Sequence, residues 1–312
     1  MPLNQPPQAA PLLDDERTYR LEANGLQLGI REWGDPEAPP LVLLHGLRGY
    51  SATWRALARD LRDHVRLVAI DQRGRGASDW DPNRNYYTDA YLADLVTVVD
   101  ALDLRRFMLL GHSMGGTVAY VYAATYPERL AGLIVEDIAP GSSIAGAGAE
   151  RIRREMASLP DDFPDWAAAR LYWRSKRAGL ADAAIEERLA ESLIEKAGRI
   201  AWRYDAAGIR ETRLDLDPDR VVDLWPVVDR IRVPTLIVRG GASDFCPSDV
   251  VAQMEERNEA IAAVSVPGAS HYVHDDAPDI YARHISDFLS PRLRPDGWKD
   301  VEATRQATRS QE

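Results

Sequence analysis

Very little in this chain of 312 residues supports covalent or metal cross-linking. Its single cysteine, Cys246, excludes an internal disulfide and a multi-thiolate zinc site. Nowhere do apolar residues run for the roughly 18 positions that a membrane-spanning helix needs, so no membrane partner is expected. Basic residues are in deficit: 38 Lys and Arg stand against 49 Asp and Glu, a net charge of −11. That balance argues against nucleic-acid binding, whose affinity comes mainly from Lys and Arg on phosphates. The first strand is followed by no G-x-G-x-x-G, and the chain has no phosphate-binding P-loop, so no nucleotide cofactor is implied. The N-terminal stretch Met1 to Gln8 has neither the basic n-region nor the apolar h-region of a signal peptide, and a cytoplasmic location is the expectation.

What the chain does have is the composition of a globular protein, with 45% hydrophobic and 28% charged residues. Between a polar, Pro-rich N-terminal arm (1–16), expected to be loose, and a charged C-terminal tail (292–312), strand and helix patterns alternate. Asn24-Gly25 between two apolar-rich runs predicts a hairpin. Leu41 to Leu44, Leu67 to Ile70, Phe107 to Leu110 and Leu133 to Val135 are short unbroken apolar runs, suited to strands buried on both faces of a parallel sheet. The strand rhythm stops near Pro140 and returns at Thr235 to Val238 and Ala263 to Val266. Residues 141–225 show only helix-like stretches. The expectation is a doubly wound α/β core (17–140 and 226–291) with an inserted helical cap (141–225).

Gly111-His112-Ser113-Met114-Gly115 fits G-x-S-x-G, the nucleophile elbow, in which a serine sits on a strained turn between strand and helix. The small residues two before and two after let the backbone fold tightly and expose the hydroxyl. A serine hydroxyl is a weak nucleophile until a base removes its proton. Of six histidines, His271 stands in a loop directly after the last expected strand, where open α/β sheets place their sites. His274, three residues on, reads as surface or supporting. Pairing these two with Asp275 and Asp276 as metal ligands is a loose pattern, and no metal is expected. An acid must orient the imidazole. Asp244, in the turn after the Thr235 strand, is preferred. Asp137, at the end of the Leu133 strand, competes for the same role. Backbone N–H groups of Leu47, after His45-Gly46, and of Met114 are placed to form an oxyanion hole. Among the aromatics, Trp80, Trp166, Trp173, Phe245 and Tyr272 are candidates for lining a pocket.

His45-Gly46-Leu47, Asp71 to Asp79, Gly111 to Gly116 and Gly268 to His271 together resemble the α/β-hydrolase family, in that family's order, over roughly residues 19 to 290. Asp137-Ile138-Ala139-Pro140 resembles the sequence after the sixth strand in its small bacterial esterases. The resemblance implies a cofactor-free serine hydrolase with Ser113, Asp244 and His271 as triad, and makes Asp71 to Asp79 structural. Ser113 at the elbow sets the chain apart from relatives with an Asp nucleophile, the haloalkane dehalogenases and epoxide hydrolases. The expected substrate is a small to medium, uncharged and mostly apolar carboxylic ester. Lactonase, carbon–carbon bond hydrolase and cofactor-free haloperoxidase activities stay open. So does a non-hydrolytic ligand-binding role, because a fold does not dictate a function.

Overall fold

The computed structural model describes residues 4–8, 10–142, 144–177 and 179–293. Eleven strands form among these residues: β1 Arg17–Ala23, β2 Leu26–Trp33, β3 Pro40–Leu44, β4 Arg66–Ile70, β5 Phe107–His112, β6 Leu130–Glu136, β7 Asp162–Phe163, β8 Leu193–Lys196, β9 Arg199–Trp202, β10 Thr235–Gly240 and β11 Ile261–Val266. The α-helices are α1 Arg55–Leu61, α2 Thr88–Ala101, α3 Met114–Thr125, α4 Gly146–Ala157, α5 Trp166–Lys176, α6 Asp182–Ser192, α7 Ala206–Leu214, α8 Trp225–Val228, α9 Ser248–Arg257, α10 Val273–Asp276 and α11 Pro278–Leu289. None of the helices is long and apolar enough to cross a membrane.

Eight strands make one sheet in the order β1-β2-β4-β3-β5-β6-β10-β11. The β1–β2 hairpin turns at Asn24-Gly25, both with positive φ, and joins β4 antiparallel. All later pairings are parallel. Every residue of β5 and β6 is buried. That is why these strands read as unbroken apolar runs: helices cover both faces and leave no solvent side to alternate with. One apolar cluster packs β3 and β4 side chains against α1 and α11, and a second packs the opposite face against α2, α3 and the cap.

Parallel strands bring their carboxyl ends to one edge. The loops after β3, β5, β6, β10 and β11 therefore converge. Register sets His112 beside Glu136, and Glu136 beside Val238, so the first residues past β5 and β6 are neighbours.

Two expectations need correction. The cap is not purely helical, because β7, β9 and β8 form a small antiparallel sheet in it. The β8–β9 hairpin turns on Ala197-Gly198, both at positive φ. Such a turn favours Asn or Asp at its first position, and Ala hides it from sequence patterning. The N-terminal arm is also not loose throughout. The Glu16 carboxylate is fully buried, accepting from Trp33 Nε1 at 2.9 Å and Arg55 Nε at 3.0 Å and pairing with Arg31. Despite the cost of burial, these partners hold its carboxyl down at about 2. In the expected C-terminal tail, residues 294–312 lie outside the described residues.

Candidate active site

The turn between β5 and α3 holds Ser113 at φ 53° and ψ −116°, a region in which residues with a Cβ are strained. The flanking glycines make the turn possible. A Cβ on Gly111 would come within 2.3 Å of the Gly115 carbonyl oxygen, and one on Gly115 within 2.4 Å of that of Leu44. Real side chains do not fit such gaps, so β5, β3 and α3 close on one another only through glycine.

His271 bridges two side chains. Its Nε2 lies 2.9 Å from Ser113 Oγ and its Nδ1 lies 2.7 Å from Asp137 Oδ2. Asp137 also accepts from the Gly240 amide at 2.7 Å and from the Ser243 hydroxyl. With two fixed donors besides the imidazole, the carboxylate has little rotational freedom. The Phe245 ring stacks on the imidazole at 4.2 Å between centroids, 27° from parallel. His271 and Asp137 are both buried.

Asp244 does not hold this position. Its carboxylate takes a two-pronged ion pair from Arg151 of α4, with Nε at 2.7 Å and Nη2 at 2.9 Å. Arg151 keeps its carboxyl below the usual range. The Asp244 carbonyl also accepts from the Gly148 amide, so this loop is tied to the cap. The reason lies in sheet order: β6 stands between β5 and β10, so its first loop residue already sits between Ser113 and the His271 loop.

The His271 loop is pinned by the residues just before Ser113 and Asp137. His112 Nε2 lies 2.9 Å from the His271 carbonyl oxygen, to which it donates. The Glu136 carboxylate accepts from the His274 amide at 3.0 Å and from its Nδ1 at 2.7 Å. His274 is therefore buried, not at the surface. Desolvation opposes both charges, yet their mutual attraction holds the His274 imidazole above its ordinary value and the Glu136 carboxyl below its own. Burial, reinforced by the neighbouring His271 and His274, pushes the His112 imidazole down to about 3, and burial dominates at His45, also at about 3. Ligand-type atoms of His112, Glu136 and His274 lie within 4.8 Å of one another. Three of the four imidazole nitrogens are already engaged, His112 Nε2 by the His271 carbonyl, His274 Nδ1 by Glu136 and His274 Nε2 by Thr53 Oγ1 at 3.1 Å, and the cluster is a hydrogen-bonded support.

A cavity of about 190 Å³ opens above Ser113 and His271, walled by core loops and by the cap. Leu47 and Met114 line it. The loop of Leu47 passes close to the serine, because a Cβ on Gly46 would lie 3.3 Å from Ser113 Cβ. Met114 opens α3, where first-turn amides have no intrahelical acceptor. Of the expected pocket aromatics, Phe245 and Tyr272 line the cavity and the three tryptophans do not. Trp80 is half exposed and donates to the Arg203 carbonyl. Trp166 and Trp173 are buried in the cap's own packing, Trp173 edge-on to Trp202. The cavity is also more polar than expected: Arg48, Arg153, Arg188, Arg213 and Arg220 all face it. Sequence reading passed over these arginines, which come from five separate segments of the chain and share no spacing that marks them as a set.

The profile of the alpha/beta hydrolase fold matches residues 39–278, and the chain belongs to that family. Over 270 residues it is 27% identical to the 2-(acetamidomethylene)succinate hydrolase of Mesorhizobium japonicum, covering 86% of this chain and 94% of that one. It is 28% identical over 261 residues to the sn-1-specific diacylglycerol lipase ABHD11 of Mus musculus, covering 82% and 83%. The crystal structure of E-2-(acetamidomethylene)succinate hydrolase superposes with a TM-score of 0.79 at 25% identity, covering 88% of this chain and 99% of that chain.

Proposed function

We propose that the protein is a serine hydrolase that cleaves carboxylic esters through an acyl-enzyme, with Ser113 as nucleophile, His271 as base and Asp137 as the orienting acid. The observation that carries this reading is the single imidazole spanning Ser113 Oγ and Asp137 Oδ2 at 2.9 and 2.7 Å. Ser113 Oγ attacks the ester carbonyl while its proton passes to His271 Nε2. Leu47 and Met114 N–H groups hold the oxyanion. The tetrahedral intermediate collapses, the C–O bond to the alcohol breaks, and the alcohol leaves with the proton from His271. Water, giving a proton to the same nitrogen, then attacks the acyl-enzyme. Free acid is released and Ser113 recovers its hydrogen. Asp137 fixes the tautomer with hydrogen on Nδ1 and stabilises the imidazolium. Two relatives named as a hydrolase and a lipase support hydrolytic chemistry.

A fluorophosphonate probe and a set of p-nitrophenyl esters test this. One equivalent of label on Ser113, with ester turnover lost on labelling, is expected. Turnover that survives complete labelling, or a label on another residue, would overturn it.

A further inference from the structure

The chain carries a net charge of −11, yet among the described residues five arginines and not one Asp or Glu line the cavity. Three of the five have carboxylate partners: Arg48 pairs with Glu155, Arg188 with Asp275 and Arg220 with Asp89. The other two have none among the described residues. Arg153 donates there only to the Ile144 carbonyl. Arg213, half-buried in the last turn of α7, has no hydrogen bond or ion pair among the described residues. Behind this wall, buried Arg75 spends its donors on the Leu47 and Arg73 carbonyls, the Tyr91 hydroxyl and Met114 sulfur, again without a carboxylate. Desolvation, together with the nearby Arg75, lowers Arg213 from its ordinary value, though a guanidinium still stays charged at neutral pH.

The Arg213 guanidinium faces the cavity beside a second cation and without a counter-ion among the described residues, so an anion that enters meets a positive charge no protein group shares. Acidic residues are plentiful in this chain, but none is placed here. The planar fork of an arginine matches a carboxylate with two parallel hydrogen bonds. We propose that Arg213 is a specificity residue that binds a carboxylate of the substrate, so that the acyl compounds cleaved at Ser113 carry a free acid group. This inference rests on the ester-hydrolase reading for the bond that breaks, but not for the anion that binds.

The test compares mono-p-nitrophenyl glutarate with its methyl-capped diester, which has the same acyl chain and no charge. The wild-type protein is expected to favour the acid at least tenfold in kcat/KM. Arg213→Gln should lower that ratio at least tenfold, Arg213→Lys should keep part of it, and Arg105→Gln, at an exposed surface site, should leave it unchanged. A binding measurement runs apart from turnover. Calorimetric titration of glutarate into Ser113→Ala should show saturable binding, weakened at least tenfold when Arg213→Gln is added. Thermal unfolding supplies a third readout: Arg213→Met should leave the melting temperature equal or higher, because it removes an uncompensated charge.

A wild-type ratio at or below one, a ratio indifferent to Arg213→Gln, or glutarate binding that is absent or unaffected by the substitution would each overturn the anion site. Ester turnover would still stand in those cases. If no ester is turned over but glutarate binds through Arg213, the ester reading falls and the anion site stands.

Discussion

Replacing Asp137 by Asn separates the two acids, because the exchange keeps the shape and changes one donor–acceptor pattern. The Gly240 amide is a fixed donor 2.7 Å from Asp137 Oδ1. An Asn amide must present its oxygen to that donor, or two N–H groups would face each other in a buried site. Its NH2 group then faces His271 Nδ1, where the carboxylate oxygen stood at 2.7 Å. A donor there stabilises the tautomer with hydrogen on Nε2, which cannot take the Ser113 proton. In triads of this type the wrong tautomer costs about 10⁴ in kcat, and Asp137→Asn should approach that figure. Asp244→Asn has a different consequence. Its ion pair with Arg151 is about 30% exposed on both sides, and such pairs contribute about 1 kcal/mol or less. Its effect on kcat should stay below about tenfold. Both variants are measured with one p-nitrophenyl ester at saturating concentration, with thermal unfolding to confirm folding. A collapse in Asp244→Asn with a near-normal Asp137→Asn would refute the assignment.

Ser113→Ala should abolish nearly all ester turnover while leaving the melting temperature almost unchanged, since Ala meets the same strain at φ 53°; a variant retaining more than about a tenth of kcat would disprove the nucleophile. Stability should fall on acidification, because His45 and His112, held down at about 3, stay neutral in the fold while the unfolded chain takes up protons below about pH 6.5. Between pH 7 and pH 5 each loses about 2 kcal/mol. His274, raised in the fold, works the other way and stabilises most at low pH. The net change should be a loss of about 2 to 4 kcal/mol in urea titrations, and a flat or rising profile would contradict it. Glu136→Gln removes the counter-charge from buried His274 and should cost about 2 kcal/mol or more; a urea midpoint within error of wild type would show that the pair holds nothing.

The sheet was legible because its strands are buried on both faces. Leu41 to Leu44 or Phe107 to Leu110 can be read without knowing any neighbour. The elbow was legible because its strained turn and flanking glycines fall within five consecutive residues, although Gly115 also makes room for the distant Leu44 carbonyl. The acid was not. Ser113, then an acid, then His271 is satisfied by Asp137 and by Asp244 alike, and chain order carries no information about which strand lies between two others. The sheet order and Arg151 of the cap favour Asp137 over Asp244, and both are tertiary facts. His274 was legible by half: of the surface and supporting readings, the supporting one holds. A histidine followed by Asp275 and Asp276 reads as a solvated loop until Glu136, 138 positions earlier, is found beneath it. The tryptophans failed in the opposite direction. A cap needs a core of its own, and Trp166, Trp173 and Trp202 supply it, which leaves them no face for a ligand.

A whole-chain sum of charge says little about a single site. A net charge of −11 describes the balance of all side chains, most of them on the surface. Charges in physiological salt are screened beyond about 8 Å, so the potential at Ser113 is set by the few groups around the cavity. Among those that line it are five arginines, three of them offset by carboxylate partners and two without one among the described residues, and low-dielectric walls strengthen the field of the unpaired two. The same field acts on chemistry. In the proposed mechanism an ester attacked at Ser113 develops negative charge, and Arg75, hydrogen-bonded through Nε to the Leu47 carbonyl at 2.8 Å, holds a positive charge behind the loop whose amide is the proposed donor to it. A cavity built in this way favours an anion in the ground state through Arg213 and in the transition state through the loop. The two demands are met by different arginines, so the Arg213 substitutions should change which substrate is chosen far more than how fast a neutral ester turns over.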